Sequence, residues 1–144
     1  YKVTGVQTCA LPISVFEPQK MSKVVSVKDV RATQELVNQV YIDDKVVEYI
    51  LSVIFATRHP SEHSLDDIAL MIQHGASPRA TLALFHTAKA HAFLKKRHFV
   101  IPDDIKAIAP DVLRHRILLT YHAEAESMRT DDIVHTILKT VPSP

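Results

Sequence analysis

Glycine and cysteine are nearly missing from this chain. Its 144 residues hold two glycines, Gly5 and Gly75, one cysteine, Cys9, and no tryptophan. A single cysteine makes neither an internal disulfide nor a cysteine-rich zinc site. Such usage suits a reducing compartment, and a cytoplasmic location is the expectation. The glycines are too far apart for either phosphate-cradling loop, G-x-x-x-x-G-K-[ST] or G-x-G-x-x-G. A G-x-S-x-G nucleophile elbow is equally excluded. Scarce glycine also leaves few places for tight turns at positive φ, which favours helices over a hairpin-rich sheet protein. No charge sign dominates either. The formal net charge is +1, which gives no strong steering towards nucleic acid or anionic lipid. No apolar run approaches the roughly 18–20 residues that span a bilayer.

What remains is 47% hydrophobic and 23% charged, the balance of a globular domain. One domain with a core of useful size fits this length. Ser26 is a plausible N-cap with Asp29 in a box-like position, and Val27, Val30, Leu36, Val37 and Val40 recur at helical spacing. Asp43 or Asp44 caps a second helix, whose apolar face is Val46, Val47, Tyr49, Ile50, Val53, Ile54 and Phe55 and which ends at His59-Pro60. Ser64 and Asp67 resemble another capping box, predicting a short helix to about Gln73 that is stopped by His74-Gly75. Ser77 then caps, and Pro78 opens, a long helix with a stripe of Leu82, Leu84, Phe85, Ala88, Ala92 and Phe93. Lys95, Lys96 and Arg97 suit its C-terminal dipole.

Residues 98–102, HFVIP, read as a short strand, able to pair with the apolar run ILLTYH at 117–122. Between them Pro102 opens a helix carrying Ile105, Ile108, Val112 and Leu113, which Pro110 kinks or splits. Thr130 is the cap of a last helix, which turns Ile133, Ile137 and Leu138 inward. The expected fold is therefore mainly all-α: a bundle of five or six helices with a small two-stranded ribbon.

The nine histidines do not form a metal pattern. His59 and His63 are four apart, but Pro60 breaks the helix that would align them, and His86 and His91 are five apart. No metal site is expected. The basic cluster Lys95–His98 has no interleaved aromatics for base stacking and reads as a solvated helix end. Arg79 is different. It stands in the first turn of a helix, where a cation opposes the helix dipole. Two explanations stay open: an anion beyond the helix end, or a salt bridge to Asp66 or Asp67.

The segments GASPRA, FVIPDDI and APDVLRHRI within residues 75–117 resemble the C-terminal part of a MoxR-family AAA+ ATPase. The stretch from Val24 to Pro60 resembles the start of that family's helical lid, so the likeness covers about residues 22–144. The segment SEHSLDDIALMIQ, 61–73, is the unfamiliar part. The resemblance implies an AAA+ helical lid bundle in which Arg79 is the sensor-2 arginine, facing nucleotide phosphates, with the backbone of Ala76, Ser77 and Pro78 shaping the approach. Arg114, His115 and Arg116 match the family pattern too, either for packing or for contact with a neighbouring subunit. The family's phosphate loop, Walker-B acids, sensor-1 residue and arginine finger have no counterpart here. No catalytic residue is expected in this chain.

By the same resemblance, ATP and Mg2+ belong to a full-length parent, whose lid couples ATP binding and hydrolysis to chaperone-like remodelling or maturation of partner proteins. The expected partners are its own upstream core, neighbouring subunits of a hexamer, and von Willebrand-type-domain proteins or metalloenzymes. The alternative is a freestanding helical interaction module without ATPase activity. Residues 3–13, VTGVQTCALPI, resemble the in-frame translation of a sequencing-library adapter, with Ser14 completing it. Residues 1–14 are thus expected to carry no function and no stable packing, and 15–21 to be a linker or remnant of a preceding core.

Overall fold

A computed structural model describes residues 23–144. The expectations for residues 1–14 and 15–21 lie outside the described residues. The described residues fall in two units, divided between Arg31 and Ala32. Ser26, in the first, caps helix α1 (Val27–Asn38), whose residues from Ala32 on belong to the second. Its hydroxyl accepts from the Asp29 N–H at 3.2 Å, and the Asp29 carboxylate accepts from the Ser26 N–H at 2.9 Å, the expected box. The expected apolar stripe of this helix is not a core face. Val27, Val30 and Leu36 are exposed, and Val40, beyond the helix, is the member that is buried.

The second unit is built on four longer helices: α2 (Asp44–Arg58), α4 (Arg79–Leu94), α5 (Pro102–Leu113) and α7 (Thr130–Thr140). Asp43 caps α2 by accepting from the Lys45 N–H at 2.9 Å. The inward sides of these helices supply Ile50, Val53, Leu84, Ala88, Ile105, Leu113, Ile133 and Ile137, all out of solvent. Helix α4 lies against α5, and α2 touches α4, α5 and α7. Three alanines on α4, Ala80, Ala88 and Ala92, are fully buried, so its neighbours approach closely. Leu82, assigned to that stripe from spacing, points to solvent. Helix α5 runs on through Pro110 unsplit.

Two short helices, α3 (Asp66–Ala69) and α6 (Tyr121–Ala125), bring the described helices to seven. The ribbon is present, with different partners. Strand β1 (Ile72–His74) pairs antiparallel with β2 (Leu118–Leu119), while Phe99 forms a lone parallel bridge with Tyr41. The expected pairing of 98–102 with 117–122 is therefore corrected: Tyr41 already accepts from Val100 N–H and donates to His98 C=O, both at 2.9 Å. The expected Ser64/Asp67 box is also absent. Ser64 takes the left-handed conformation that closes a 3-10 turn at 60–63, and α3 starts after Leu65. Residues 72–74, read as the end of that helix, are the strand β1.

Candidate functional site

The segment Gly75-Ala76-Ser77-Pro78-Arg79 joins β1 to α4, and its position is set by the last turn of α2. The Thr57 hydroxyl donates to Ile54 C=O at 2.7 Å and accepts from the Ala76 N–H at 3.0 Å. Arg58 donates from its guanidinium to Ala76 C=O at 3.3 Å. Both polar groups of Ala76 are thus held by consecutive residues of α2. Gly75 sits so close to that helix that a Cβ would lie 2.2 Å from the Thr57 carbonyl oxygen. No described glycine has positive φ. Gly75 is therefore a close-approach glycine and not a helix stop, which corrects the sequence reading.

From there the chain enters α4. Ser77 does not cap through its side chain. Its carbonyl accepts from the Ala80 N–H at 2.8 Å, and the Pro78 carbonyl accepts from Thr81 at 3.1 Å, a tight first turn with no side-chain cap. Ala76 is buried, whereas Ser77, Pro78 and Arg79 are exposed. Neither Asp66 nor Asp67 pairs with Arg79, and no other carboxylate among the described residues does. The four predicted site residues are thus together, with the cation at the solvent end.

At the other end of α4 lies a charged cluster that sequence reasoning missed. Asp104 is 1% exposed. Its carboxylate accepts from Arg97 at 2.7 Å and from the Ile101 N–H at 2.9 Å, and stands 2.7 Å from His91 Nδ1. Burial alone would raise this carboxyl. The hydrogen bonds from Arg97, Ile101 and His91, with the Arg97 charge, outweigh it and hold the pKa at about 2. Arg97 is therefore an internal partner and not part of a solvated basic cluster. Arg114 links α5 to α7 through Asp131 at 2.7 Å, and Arg116 donates to Val112 C=O at 3.0 Å. Both make these contacts within the domain, and Arg114, like His115, is exposed. Among the described residues no three His, Cys, Asp or Glu side chains converge as a metal site. None of the described helices is long and apolar enough to cross a membrane.

The seven described helices with a small two-stranded ribbon are the architecture of an AAA lid. The AAA lid domain family matches residues 66–137, and the chain belongs to it. The chain is a lid of the MoxR type. It is 35% identical over 127 residues to the Chaperone MoxR1 of Mycobacterium tuberculosis, covering 88% of this chain and 34% of that protein. It is 34% identical over 88 residues to the Protein MoxR of Methylorubrum extorquens, covering 59% of this chain and 26% of the relative. A crystal structure of a candidate ATPase from Cytophaga hutchinsonii superposes with a TM-score of 0.83 at 39% identity, over 99% of this chain and 44% of that one. The chain thus spans about a third of the length of the Mycobacterium relative it matches.

Proposed function

We propose that this domain is the nucleotide-sensing lid of a MoxR-type AAA+ ATPase, and that Arg79 faces the phosphates of a nucleotide held by an AAA+ core. The observation that carries the reading is the state of Arg79. It is an exposed guanidinium at a helix N-terminus, on a loop whose backbone is tied to α2, with no carboxylate paired to it among the described residues. A cation there is unfavourable with respect to the helix dipole unless an anion lies beyond it. A phosphate group answers both the guanidinium and the helix end. ATP supplies the phosphoryl group to be cleaved. Mg2+ would travel with the nucleotide phosphates in the core.

In this role the domain has two duties. Arg79 stabilises negative charge on the phosphates, and the packed bundle behind it converts that contact into movement of the lid. The work done by such movement is chaperone-like remodelling or maturation of partner proteins by a ring of subunits, in line with the name of the Mycobacterium relative. The test is ATP turnover by this lid joined to a MoxR-type core. Arg79→Ala is expected to slow turnover by about 100-fold or more. Its thermal midpoint should stay unchanged, because an exposed, unpaired side chain contributes little to stability. Wild-type turnover in that variant overturns the assignment.

A further inference from the structure

Thr57 carries more than packing requires. It is fully buried in the last turn of α2, beside the core residues Val53, Ile54 and Ala56. A buried hydroxyl is costly unless its hydrogen bonds are made. Thr57 makes one to its own helix and spends the other on the Ala76 N–H. The Arg58 guanidinium holds the carbonyl of the same residue. The Gly75 backbone lies against the Thr57 carbonyl with no room for even a methyl group. Between this contact and Arg79 stand only Ser77 and Pro78, and the proline φ is −54°. Helix α4 has no side-chain cap of its own to fix how it starts.

We propose that Thr57 is the positioning residue of Arg79: its hydroxyl clasps the loop so that rotation of the α2 end is carried directly to the guanidinium. This rests on reading Arg79 as the phosphate-facing group. The clasp has a topological consequence as well. Residues 59–74 leave α2 and return to it at neighbouring points, so the unfamiliar segment 61–73 is a closed excursion. A valine at 57 would fill the same space and leave the Ala76 N–H unpaired. A serine would keep the oxygen.

The experiment is ATP turnover and thermal midpoint for the lid joined to a MoxR-type core, with Thr57→Val, Thr57→Ser, Arg79→Ala and the Thr57→Val/Arg79→Ala double variant. Misplacing a group by about 1 Å can cost up to about 100-fold. Thr57→Val is expected to slow turnover about tenfold, Thr57→Ser less than about twofold. On the Arg79→Ala background, Thr57→Val should add less than about twofold, because the two residues act on one contact. A merely structural threonine would give a loss of the same size with or without Arg79, and that result overturns the proposal, as does a serine variant as slow as valine. If Arg79→Ala alone leaves turnover unchanged, the phosphate-facing reading fails first, and the clasp's role falls with it. Should Thr57→Val not fold, Arg58→Ala loosens the other edge of the clasp from an exposed position. The same comparison with and without Arg79 then decides.

Discussion

Asp104 shows how much one carboxylate can hold. It ties the C-terminal end of α4, through His91 and Arg97, to the first turn of α5. Its folded pKa of about 2 lies below the ordinary 3.8, so the charged form is favoured by folding. The resulting stabilisation, about 2 kcal/mol, is present in full above pH ~4 and is lost as the pH falls through about 2. Asp104→Asn removes the charge and keeps the shape. Breaking a fully buried ion pair costs about 3–5 kcal/mol. Arg97 keeps a quarter of its side chain in solvent, so the expected loss is smaller, about 2–3 kcal/mol. Urea unfolding at pH 7 measures it. At pH 2 the difference between wild type and variant should shrink, and a difference that stays constant with pH counts against the ionic account. In the sequence, Asp104 was legible as an acid in a helix's first turn and no more. Its partners come from another helix and a loop, and spacing carries no information about a contact made through space. The signal that existed was Arg97 three residues past α4 with Asp104 shortly after, close enough for a short loop to bring them together.

Local capping explains which elements could be read and which could not. Where a cap or proline marks a boundary, as at Ser26, Asp43 and Pro102, the helices start where the residues say. Helix ends were harder to find, because the chain closes them without glycine. Ser64, Lys96 and Ser127 take positive φ of 57°, 59° and 57°. Each is followed by an N–H that reaches back five residues: Leu65 to Pro60, Arg97 to Ala92, Met128 to Ala123. This is the Schellman closure with an unusual residue at its left-handed position. Such a position costs a non-glycine residue about 1–2 kcal/mol, partly offset by glycine's greater freedom when unfolded. Lys96→Gly, at an exposed site, is therefore expected to stabilise the domain by about 0.5–1 kcal/mol. A denaturation midpoint at or below wild type would contradict it. The ribbon was misread for a related reason. Strands of two or three residues are too short for alternation to assign partners, and Phe99 and Leu118 look equally suitable until Tyr41 occupies the first.

At the scale of the whole described domain, the group proposed to face nucleotide is a single exposed cation, Arg79, and that reading makes a thermodynamic prediction. A ligand that binds only the native state raises stability by RT ln(1 + [L]/Kd), about 2.7 kcal/mol at 100-fold excess over Kd. One guanidinium at the surface, with salt screening and no loop to wrap the phosphates, gives too little contact for millimolar ATP to exceed Kd appreciably. The chain on its own should therefore unfold at the same temperature with and without ATP. Joined to a MoxR-type core, the lid should gain an ATP-dependent rise in its unfolding temperature. That rise should be largely lost in Arg79→Ala, because the lid would then have no contact that distinguishes the nucleotide-bound state. Calorimetry with the lid and core transitions resolved provides the measurement. An ATP-dependent shift in the isolated chain would mean that the bundle holds a nucleotide site of its own. A shift in the joined protein that survives loss of Arg79 would mean that the lid senses nucleotide through the core surface and not through this arginine.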